Sequence, residues 1–91
     1  MLATEKQKQN QTKRANYSLE SLERAKLMVD FAKACPCRAC VGAASLALEG
    51  AQNATADARL WAGRLYGHEH RHGFTMRLEV IAKLTIELPS Y

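Results

Sequence analysis

The sequence predicts a mainly α fold: a small helical-hairpin domain of about three helices, then a C-terminal amphipathic segment. Three observations carry this. An apolar stripe at helical spacing runs from Leu22 to Ala32 and stops short of Pro36. Two short apolar stretches follow, closed by Gly50 and Gly67. The segment from Met76 to Leu88 then alternates apolar and polar residues with one break. At 91 residues the chain is a single domain. A domain of this size buries only a little over ~60% of its unfolded surface. Such chains often draw stability from a metal, disulfides or a second subunit.

Residues 1–16 are rich in Lys, Gln, Asn and Thr and hold almost nothing to bury. They are expected to form a flexible basic N-terminal arm. Residues 17–91 are expected to form the helical domain. Its first helix spans about 18–34, with Ser18 as N-cap, Glu20 and Glu23 early, and Lys26 and Lys33 later. Leu22, Ala25, Val29 and Ala32 form its inner stripe. Pro36 disfavours helical geometry at Cys35 and ends it. A second helix covers 41–52, and "NATAD" (53–57) supplies turn and cap residues. A third covers 56–67, with Leu60, Trp61 and Leu65 inward and Gly67 as its stop.

The C-terminal segment 74–88 admits two readings. Met76, Leu78, Val80, Ala82, Leu84, Ile86 and Leu88 alternate with polar residues, and Ile81 alone interrupts them. Period two favours a strand arm. An unpaired strand exposes its backbone groups, so a second chain is expected to pair with it. The competing reading is a fourth helix buried in a dimer, which would make the fold all-α. Under both readings Met76, Leu78, Val80, Leu84, Ile86 and Leu88 form a homodimer interface.

Charge points to an acidic partner. The formal net charge is +4. In the arm, Lys6, Lys8, Lys13 and Arg14 oppose only Glu5. Such a flank suits nucleic acid, a phosphoryl ligand or an acidic protein. Tyr17 beside Lys13 and Arg14 is the aromatic placed to touch such a ligand. Trp61, between Leu60 and Ala62, belongs to the core.

The start, "MLATEKQKQN", has no apolar h-region, so no signal peptide is expected. "VGAASLAL" is far too short to span a membrane. The chain is expected to be cytoplasmic, where thiols stay reduced.

All three cysteines lie in "ACPCRACVG" at Cys35, Cys37 and Cys40, and all three histidines in "GHEHRHG" at His68, His70 and His72. Helices over 41–52 and 56–67 would each be about 18 Å long. Packed antiparallel, they would bring the two clusters to one end of a hairpin. One structural zinc ion is the expected cofactor, since zinc takes four N or S ligands. Cys37 and Cys40 form a C-x2-C pair, and His68 and His72 share a face whether helical or extended. Cys35 and His70 are the substitutes. A redox role for Cys37 and Cys40 lacks the βαβ context it usually has. Glu69 lacks the H-E-x-x-H spacing of a metal-site base, and no catalytic residues stand out.

The expected function is therefore a small, non-enzymatic binding or regulatory protein acting through protein–protein contact. Size alone associates it with the inhibitors and accessory factors that mobile elements make. The alternative is a basic nucleic-acid- or phosphoryl-ligand-binding module stabilised by structural zinc.

Overall fold

The computed structural model describes residues 3–90. Residues 1, 2 and 91, termini of the expected arm and domain, lie outside them. Helix α1 spans Glu5–Ala34 and α2 spans Arg38–Tyr66. A single 3-10 turn, His68–Arg71, leads into α3, His72–Glu87. The described residues contain no strand, and the mainly α fold holds. None of the helices is long and apolar enough to cross a membrane.

At 1.5 Å per residue, α1 and α2 are each about 45 Å long. They run antiparallel over nearly their whole length, and the molecule measures 49 × 20 × 13 Å. Their buried residues follow one rule. In α1 these are Gln11, Ser18, Leu22, Ala25, Val29 and Ala32. In α2 they are Ala44, Leu48, Ala51, Thr55, Ala58 and Ala62. From Ser18 and from Ala44 onward the steps alternate between three and four residues. That is the 3.5-residue repeat of two helices packed side by side. Most seam residues are small, so the helix axes approach closely.

This seam explains two departures from the sequence reading. First, α2 is one helix, not two joined by a turn at 53–55. Gly50 is tolerated within it at about 1 kcal/mol relative to Ala. Thr55, expected as a turn or cap residue, is buried, and its hydroxyl meets that of Ser18 at 2.7 Å. Continuous packing along α1 outweighs the local turn signal. Second, residues 5–16, expected to be a flexible arm, are helical. Thr4 and Gln7 close a capping box at the start of α1. Gln11 is buried and its amide donates to Ala58 O at 3.0 Å. This part of the seam is polar, so a search for apolar periodicity passes over it.

The chain leaves α2 through Gly67, whose φ of 103° favours glycine. Helix α3 then folds back over one face of the hairpin. Arg77 donates to Ala15 O at 3.2 Å and to Ser18 Oγ at 3.3 Å. Lys33 and Glu87 pair at 3.2 Å.

Of the two readings of 74–88, the helix is observed, and the favoured strand is not. A helix satisfies its own backbone, whereas a strand here would need a partner. Ile81, the residue that broke the alternation, is the one α3 buries, at 3% exposure. Leu78, Leu84 and Leu88 flank it, half-buried against the core of their own chain. Three of the six expected interface residues thus pack internally. Met76, Val80 and Ile86 remain exposed, Ile86 at 85%.

The two isoleucines of α3 should therefore respond oppositely. Ile81→Ala is expected to destabilise the fold by about 2–5 kcal/mol, as for other buried isoleucines. Ile86→Lys is expected to stay within about 0.5 kcal/mol of the parent. Urea denaturation of both variants measures this, and the reverse order would return the segment to a strand.

Candidate metal centre

The turn joining α1 to α2 consists of Cys35, Pro36 and Cys37. The Cys35 N–H still donates to Phe31 O at 2.8 Å, closing the last turn of α1. Proline at 36 then holds Cys35 out of helical geometry, at φ −137° and ψ 85°. Cys37 is extended, at φ −90° and ψ 163°, and caps α2. Its Sγ accepts the Cys40 N–H at 3.4 Å. The third thiol is thus one helical turn along α2 and faces back over the connection. The outcome is a compact sulfur cluster: the Sγ atoms of Cys35, Cys37 and Cys40 all lie within 4.8 Å of one another. All three cysteines are free, Cys35 and Cys37 exposed and Cys40 partly buried.

The thiols are not equivalent. Hydrogen bonds from the Cys40 backbone, then from the Cys40 and Cys35 thiols, lower Cys37 from the ordinary 9.0 to about 7. Cys40 is pushed up to about 11, chiefly because its thiol hydrogen-bonds to Cys37, with desolvation adding to this. Cys40 therefore holds its proton the more tightly, and Cys37 is the more readily ionised of the two. The amides opening α2 also favour an anion at this position.

Beside the sulfurs lies an apolar groove of about 320 Å³, lined by Met28, Phe31, Ala34, Ala39 and Ala43 together with Cys35 and Cys40. No periodicity marked Met28 or Phe31 as part of a site, because the groove exists only once α1 and α2 are paired.

The histidines do not join the cysteines, contrary to the expected ligand set. Since α2 is continuous, about 40 Å of helix separates Cys37 and Cys40 from His68 and His72. His68 and His70 lie in the 3-10 turn and His72 opens α3. The His70 ring packs on Tyr66 at 5.2 Å and its Nε2 lies 4.0 Å from Glu69. The residues brought together are Cys35, Cys37 and Cys40, so His68 and His72 fall away from the expected set and Cys35, expected only as a substitute, joins it. The signal for Cys35 was present: all three cysteines fall on one proline-containing turn.

The other candidate contacts lie toward the opposite end. Lys6, Lys8, Lys13, Arg14 and Tyr17 are all in α1. Arg14 is engaged within the fold, 3.5 Å from Asp57 and 4.5 Å from the centroid of the Trp61 ring. Arg64 also packs on Trp61, at 5.1 Å. Tyr17 is exposed. Antiparallel pairing gathers Lys6, Lys8, Lys13, Arg14, Arg59, Arg64, Arg71 and Arg77 at the open end of the hairpin, against Glu5, Asp57 and Glu69. The half with the turn holds Arg24, Lys26, Lys33, Arg38 and Lys83 against Glu20, Glu23, Asp30, Glu49, Glu79 and Glu87. One end is strongly basic and the other nearly neutral.

The chain matches no family model, no curated protein and no solved structure.

Thiol reactivity should follow the order of proton affinity. With limiting iodoacetamide at neutral pH, Cys37 is expected to be alkylated first and Cys40 last. Mass spectrometry of the quenched peptide reads the order. Equal labelling of all three would mean that the hydrogen bonds at the turn do not persist in solution.

Proposed function

We propose that this chain is a small, non-enzymatic binding protein whose helical hairpin is braced at its turn by one zinc ion per chain. The reading rests on one observation, the approach of the Cys35, Cys37 and Cys40 sulfurs to within 4.8 Å. Thiolates are soft donors, and clustered thiolates select thiophilic ions over magnesium or calcium. C-x2-C spacing at a turn is the usual way to present sulfur to structural zinc. The ion would tie the end of α1 to the start of α2. Between Ala32 and Ala44 no side chain is fully buried, and the ion would add a link across that stretch. The rest of the surface would then serve a protein partner.

Reduced protein, purified without added metal, is expected to carry about one zinc per chain. Cys37→Ser and Cys40→Ser should lose the ion and melt earlier, by about 4–8 °C for each kcal/mol lost. His68→Ala and His72→Ala should keep both zinc content and melting temperature. Elemental analysis and thermal melts of the four variants check this. A protein that takes up no zinc, and whose melt is unchanged by chelator, would sink the proposal.

The uneven charge favours a second reading, in which the basic end binds a nucleic-acid backbone. Phosphate neutralisation makes affinity fall steeply as salt rises. Removing Lys6, Lys8 and Lys13 together should flatten that dependence by about three contacts' worth. Binding to a duplex or single strand, titrated at several salt concentrations, measures the slope. No retention at low salt would discard this reading.

A further inference from the structure

We propose that two copies of this chain join turn to turn around two zinc ions, with each copy completing the other's metal coordination. The inference rests on the zinc reading above and goes beyond it in naming the partner.

Coordination number is the first argument. Structural zinc is almost always four-coordinate. One turn supplies three thiolates, and the histidines expected to complete the set lie about 40 Å away along α2. Two turns supply six. Six thiolates satisfy two tetrahedral ions when one sulfur from each chain bridges both. Each ion then has two terminal and two bridging ligands. A zinc-bound thiolate still has lone pairs, so bridging needs no further donor. Tetrahedral sulfurs at the usual Zn–S length of about 2.3 Å sit about 3.8 Å apart. The present spread of up to 4.8 Å closes to that value by side-chain rotation.

Position is the second argument. The turn is the extreme end of an elongated molecule, and Cys35 and Cys37 are exposed there. The apolar groove runs directly up to the sulfurs. Phe31 on its wall is 53% exposed, and Leu27, one turn earlier, is 52% exposed. A second turn docked on the cluster would cover this surface along with the metal.

Charge is the third argument. The turn ends are nearly neutral, so two of them meet without repulsion. The basic ends point outward, about 100 Å apart, many Debye lengths of about 8 Å. As each thiol enters the cluster its proton passes to solvent. Two zinc ions and six thiolates leave a charge of −2, set against the positive ends of two α2 helices.

The test is the mass of the full chain in reductant, by native mass spectrometry and sedimentation. The zinc-loaded protein is expected at twice the 10.1 kDa monomer mass, with two zinc ions, and chelator should return it to monomer. Cys35→Ser keeps the C-x2-C pair Cys37 and Cys40, so two chains present four thiolates as two such pairs and are expected to form a dimer holding a single zinc. A monomer that keeps one zinc would overturn the pairing and leave the zinc-braced hairpin standing. A dimer that survives chelation would place the interface elsewhere and also overturn it. A chain that binds no zinc would remove both proposals.

Discussion

Everything in this molecule depends on the close seam between α1 and α2. Ser18, Ala25 and Ala32 recur every seven residues in one helix, and Ala44, Ala51 and Ala58 in the other. Small side chains at this period let two backbones approach along their full length. They also bury little apolar surface, since each methyl or methylene group contributes only about 0.8 kcal/mol. The larger side chains at the seam, Leu22, Val29 and Leu48, are few and cluster toward the turn half. Ile81 from α3 joins them. The seam therefore sets the shape, while a short apolar segment and α3 supply much of the burial.

A second consequence is that the two ends of the hairpin are chemically distinct. A turn of three residues allows no slack, so Cys35, Cys37 and Cys40 are held together by the backbone. At the open end nothing joins α1 to α2 covalently. There the seam turns polar, through Gln11, Ser18 and Thr55. Arg77 reaches from α3 to the Ser18 hydroxyl and locks the third helix to this polar layer. Breaking that layer would leave buried hydroxyl and amide groups without partners, which costs about 1–3 kcal/mol each.

Much of the fold was legible in the sequence where the seam is apolar. Leu22, Ala25, Val29 and Ala32 form the expected stripe and are all buried. Pro36 stops α1 where it should, at Ala34. The reading failed where tertiary contact overrides local preference. Gly50 and Asn53 look like a helix break, yet the seam carries α2 straight through them. Gln11 looks like part of a flexible arm and Ser18 like an N-cap, yet the cap is Thr4 and each of the two finds a partner across the seam. In α3 an accidental alternation of side chains imitates a strand. The spacing of Leu78, Ile81, Leu84 and Leu88 gives a helical face instead. The misplaced histidines follow from the first of these errors, because a hairpin within α2 was needed to bring them to the cysteines. The sulfur cluster itself required no tertiary knowledge beyond the proline turn.

The same length that separates the histidines from the cysteines also makes the two ends independent. The chain extends 49 Å, several times the screening distance of about 8 Å at physiological salt. Charges at the open end therefore cannot tune the thiols, and the lowered proton affinity of Cys37 must be local in origin. Its causes are indeed neighbours within the turn. Conversely, an ion at the turn cannot change what the basic end binds by electrostatics. If it joins two chains as proposed, it would do so by changing valency. Two basic ends carried by one zinc-linked rod would engage an extended acidic partner together, and the second contact would become intramolecular. Metal and thiol state would then govern binding at a site 40 Å or more away through the number of ends presented, with no change in the structure of either end.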